Sequence, residues 1–168
     1  MEELSKFSKI FESALQGLLN HWRVWCGEDE IRALPIGFDS ANTEICVSLL
    51  TDREPDLERQ GINPFRSLAF KRSEVWPTAD WRLTGINKAN HHCWPDAAEL
   101  LDWMERKSDE LDGEKLNLLN QRLKSMFFDV ATSDAARNWI GRFRRVAKPF
   151  RIRVEWYFDD LPLDAVIG

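Results

Sequence analysis

A chain of 168 residues with 43% hydrophobic content is long enough for one core and short for two, so a single domain spanning 1–168 is expected. Its 23 basic and 28 acidic residues give a net charge of −5, which excludes the general basic excess that lets coat proteins cling to nucleic acid. No stretch approaches the roughly 18 apolar residues that span a bilayer. The N-terminus lacks a basic segment followed by an apolar one, and Cys26, Cys46 and Cys93 are widely spaced with no C-x-x-C pair. A cytoplasmic protein without membrane contact is expected.

In chain order, Leu4, Phe7, Phe11, Ala14, Leu18, Trp22 and Trp25 recur at spacings of three and four, predicting a helix with all of them on one buried face. Gly27 is placed to end it. Ile31 to Phe38 reads as a strand confined to an edge, because Pro35 cannot donate to a ladder. Turn residues Asp39 to Asn42 join it to Glu44 to Thr51, whose apolar run predicts a hairpin partner covered on both faces and a candidate for the sheet centre. Between Thr51 and Pro95, dense Pro and Gly predict irregular structure carrying Trp76, Trp81 and Trp94, with a short strand near Ser67 to Phe70.

Pro95 suits the first position of a helix whose apolar side is Leu100, Trp103, Met104 and Leu111. After Asp112-Gly113, Leu116, Leu119, Leu123, Met126, Phe127 and Val130 define another. Ser133 caps a last helix with inner face Trp139, Ile140, Phe143 and Val146, stopped by Lys148-Pro149. The closing strand, Phe150 to Phe158, alternates Phe150, Ile152, Val154, Trp156 and Phe158 with Arg151, Arg153, Glu155 and Tyr157, so one face is apolar and the other is predicted to face outward. Residues 159–168 carry no clear pattern. The fold class is α+β: one mainly antiparallel sheet with about four helices packed on its apolar side.

The sequence holds no phosphate-binding glycine loop, no nucleophile elbow and no cofactor motif. His91-His92-Cys93 lacks the spaced pairs that converge on zinc. No imidazole is placed beside Cys46 or Cys93 to activate a thiolate. Glu155, Asp159, Asp160 and Asp164 lack the lysine and second carboxylate cluster of a metal-dependent nuclease and read as a solvated acidic end.

Charge is polarised along the chain. Residues Met1 to Asp56 carry 5 basic and 11 acidic side chains, whereas Arg137 to Arg153 carries 7 basic and no acidic one. Two surfaces follow. Glu28, Asp29, Glu30, Asp52, Glu54 and Asp56 form an acidic surface for a basic protein partner, with Trp76, Trp81 and Trp94 as loop anchors. Arg144, Arg145, Arg151 and Arg153 form a basic patch that supports the alternative of nucleic-acid binding or processing. A third reading is a dimer through the first helix.

An N-terminal amphipathic helix, a hairpin over Ile31 to Thr51, a middle segment with Trp76-Pro77 and Asp80-Trp81, then helices and a closing strand resembles small uncharacterised bacterial α+β proteins, some of them immunity proteins encoded beside polymorphic toxins. The resemblance is one of layout and carries over no residue role. It implies a non-enzymatic task without a cofactor: one-to-one binding of a toxin domain to block its active site.

Overall fold

The computed structural model describes residues 2–40, 43–52, 84–85, 95–156 and 161–168. Helix α1 spans Glu2–Cys26 and leads into strands β1 (Glu30–Asp39), β2 (Glu44–Ser48), β3 (Leu50–Thr51) and β4 (Thr84–Gly85). Helices α2 (Pro95–Glu110), α3 (Gly113–Ala131) and α4 (Asp134–Ile140) follow, and the chain returns through β5 (Arg145–Trp156) and β6 (Leu163–Ile167). The sheet runs β4-β2-β1-β5-β6, with β3 also paired to β1. All its pairings are antiparallel except β1 with β5. This is the expected α+β layout.

One face of the sheet meets the helices. Leu34, Ile36 and Phe38 of β1, Ile45, Val47 and Leu49 after the turn, and Phe150, Ile152 and Val154 of β5 share a buried cluster with Phe7, Phe11, Leu15 and Trp22 of α1 and Leu123, Phe127 and Val130 of α3. Phe127 sits at its centre, with ring centroids 4.6 Å from Phe11 and 5.2 Å from Phe38, both edge-on as aromatic quadrupoles prefer. Burying each such side chain is worth about 1.5 to 3 kcal/mol, so the alternation read from β5 and the stripe read from α1 are the two halves of one apolar layer.

Several expectations fail, each for a physical reason. The sheet centre is β1, flanked by β2 and β5, not the run after the turn. Pro35 is tolerated there because pairing on the β2 and β3 side lapses between Ala33↔Leu50 and Ile36↔Val47, so it lacks a partner on that side and is in register only with Arg153 of β5. The last helix ends at Ile140, and β5 already begins at Arg145. Lys148-Pro149, a cis peptide, therefore lies within a strand. It fits because β5 pairs Val146 with Ile31 and Arg151 with Ala33, so the residues between bulge out of the ladder. The unassigned tail contains β6, paired with β5 over Phe150↔Ile167 to Val154↔Leu163. The segment expected to be irregular supplies β4, while the short strand expected near 67–70 lies outside the described residues.

Trp25 departs from the buried stripe. An α-helix drifts about 20° per heptad against a strict seven-residue repeat, so a line begun at Leu4 has turned by roughly 60° at Trp25. Burial passes instead to Cys26, and Trp25 is left 66% exposed.

The charged face of β5 was expected to look outward. It does not: Arg153 and Glu155 are buried, as are Ala33, Pro35, Gly37 and Asp39 of β1, and Cys46 and Ser48 of β2 are buried in keeping with a run covered on both faces. Arg153 can be buried because Asp164 takes it bidentately, Nε to Oδ1 at 2.5 Å and Nη2 to Oδ2 at 2.6 Å.

Candidate functional site

Gly27, with φ +56°, turns the chain out of α1, and Asp29 N donates to Cys26 O at 2.9 Å to tighten the corner. That corner delivers Glu28 and Glu30 to the start of β1. Two registers then decide what they meet. Parallel pairing sets Glu30 beside Arg145, and antiparallel pairing of Ile31 with Thr51 brings Asp52 alongside.

The result is a seam of opposite charges. Arg144 ion-pairs with Glu28. Arg145 reaches Glu30 and Asp52, each at 3.5 Å, and donates to Glu28 O at 3.3 Å. Arg32 lies 3.6 Å from Glu30, and Glu30 N donates to Asp52 Oδ1 at 3.0 Å. The carboxylates of Glu28, Glu30 and Asp52 are thus matched by the guanidiniums of Arg32, Arg144 and Arg145.

This rearranges both surfaces expected from the sequence. Glu28, Glu30 and Asp52 do lie together, but on the same patch as Arg144 and Arg145, so the patch is locally neutral. Asp29 is buried beneath it. The four arginines do not form one surface: the bulge separates Arg144 and Arg145 from Arg151 and Arg153, Arg151 is exposed, and Arg153 is buried. Glu54, Asp56, Trp76, Trp81 and Trp94, together with His91-His92-Cys93, lie outside the described residues.

Just before the seam in the chain, at the end of α1, come apolar groups that the sequence reading assigned to the core or passed over. Val24 is 77% exposed, Trp25 stands out next to it, and the His21 ring lies against the indole at 5.9 Å between centroids. Only three positions separate Trp25 from Glu28. An aromatic anchor bordered by ion pairs is the composition of an interface core with its polar rim. The available sequence signal was the drift of the α1 stripe, which the seven-residue spacing conceals.

The buried polar sheet face has a different character. Gly37 pairs with Cys46 on one side and Glu155 on the other. Cys46 Sγ lies 3.7 Å from Ser48 Oγ. A thiol this deeply enclosed acts as a small hydrophobe rather than a nucleophile, which needs access. An open groove of about 550 Å³ between α1 and α3, lined by Leu4, Ser5, Ser8, Gln121, Ser125 and Met126, is a shallow surface feature. Among the described residues no helix is long and apolar enough to cross a membrane. No family model, curated protein or solved structure matches the chain.

Proposed function

We propose that this chain is a non-enzymatic protein-binding module that neutralises a partner bacterial toxin domain by tight binding. The exposed indole of Trp25 carries the reading. A ring of that size left in water beside Val24 gains more from a partner's apolar pocket than any other exposed side chain of α1, and Trp is among the residues that dominate interface energetics. The neighbouring Glu28–Arg144 pair supplies a mixed-charge rim that selects a complementary surface without strong steering. The resemblance of the sequence layout to that of small immunity proteins is what suggests a toxin domain as the occupant.

The experiment is to express the protein encoded by the adjacent gene and titrate its toxic domain with the purified chain. Stoichiometric loss of toxicity is expected, together with a complex that Trp25→Ala weakens by about 2 kcal/mol, roughly thirtyfold in Kd. Undiminished toxicity at excess chain would reject the toxin partner, and equal binding by Trp25→Ala would reject the surface. Nucleic-acid binding is the weaker reading, since phosphate would have to displace Glu28, Glu30 and Asp52 from arginines already engaged.

A further inference from the structure

We infer that β6 is a self-pairing edge through which two copies of this chain form a weak symmetric dimer with one continuous sheet. The inference uses residues separate from the Trp25 surface and does not rest on the toxin-binding reading.

Among the described residues the sheet ends at β6, and no described strand lies along the outer edge of Leu163–Ile167. Natural proteins blunt such edges with outward lysines or with proline. The sequence LDAVI contains neither, and its single charge, Asp164, is paired with Arg153 of β5 while its side chain stays 47% accessible. The edge also carries exposed apolar surface: Val166 is 61% exposed, and Leu161, just before the strand, is 73% exposed.

The occupant follows from the sequence of the strand itself. Antiparallel pairing with a second copy about Ala165 sets Leu163 opposite Ile167 of the other copy, Ala165 opposite Ala165, and Asp164 opposite Val166. Leu163, Ala165 and Ile167 lie on the helix-covered side and are only half buried, and Ala165 and Ile167 pack on the core margin. The second copy would finish that burial with identical apolar residues, which is the self-complementarity a two-fold interface requires.

The other side favours the same register. Val166 pairs with the exposed Arg151 within one copy, so self-pairing places Asp164 of one copy in the same cross-strand row as Arg151 of the other. No two like charges face each other. A ladder of this length buries an area at the low end of specific interfaces, so association should be weak and concentration-dependent.

Sedimentation equilibrium of the full chain over a wide concentration range tests this. A monomer–dimer equilibrium is expected, with β6 amides gaining protection from hydrogen exchange as concentration rises. Val166→Glu would set a carboxylate against Asp164 twice, weakening dimerisation about tenfold or more while leaving the thermal midpoint of this exposed site unchanged. Val166→Thr, which keeps a β-branched side chain opposite Asp164 and adds no charge, should retain it. A wild-type chain that stays monomeric throughout would overturn the dimer. Equal association of Val166→Glu, or loss of it in Val166→Thr, would overturn the β6 register.

Discussion

Asn120 shows how much one side chain can cost. It stands on the inner face of α3 between Leu116 and Leu123, with no exposed surface and, among the described residues, no hydrogen bond to either end of its amide. A buried amide without partners loses its hydration and gains nothing back, a penalty of about 1 to 3 kcal/mol. Asn120→Leu, similar in size and free of that penalty, should raise stability by about 1 kcal/mol, read as a higher urea midpoint at unchanged slope. A lower midpoint would mean that the amide is needed where it stands. Arg153 is the opposite case, a buried ion whose carboxylate partner is in place. Asp164→Asn would leave that guanidinium facing a neutral amide and should lower stability by about 1 to 3 kcal/mol, measurable in the same denaturation experiment.

At the level of elements, what could be read from the sequence was whatever depends on neighbours in the chain. Ser133 was legible as a cap, and its hydroxyl accepts from Ala136 N at 3.1 Å. Ser133→Ala should therefore cost about 1 kcal/mol, checked by thermal unfolding. The β5 alternation was legible for the same reason. Pro35 misled because a local rule about ladders says nothing of where the opposite strand lapses. Lys148-Pro149 misled because a bulge inside a strand looks, locally, like the end of a helix. The charged face of β5 misled most, since alternation separates two faces without saying whether the polar one meets water. Phe127 links elements that no local pattern joins, touching Phe11 of α1 and Phe38 of β1. Phe127→Ala should cost about 3 to 5 kcal/mol, enough in a domain of ordinary stability to broaden or abolish cooperative melting by calorimetry.

The seam belongs to the whole molecule, because Arg145 and Glu28 are 117 residues apart and meet only when β1 and β5 pair. Acidic and basic runs were each visible in the sequence. Their mutual cancellation was not, because it is set by a parallel register that no short window contains. The polarised chain therefore closes into a locally neutral patch, and its charges serve the fold before they serve any partner. How strongly they do so follows from exposure: the side chains of Arg145 and Glu30 are 52% and 28% accessible, so water screens much of their attraction. A double-mutant cycle of Glu30→Ala and Arg145→Ala should then give a coupling of about 0.5 to 1 kcal/mol, shrinking as ionic strength rises and the Debye length falls below about 10 Å. A coupling that persists undiminished in high salt would mean a desolvated pair holding β1 to β5. One indistinguishable from zero would mean that the apolar layer alone sets the register, leaving the seam free to rearrange when a partner closes over Trp25.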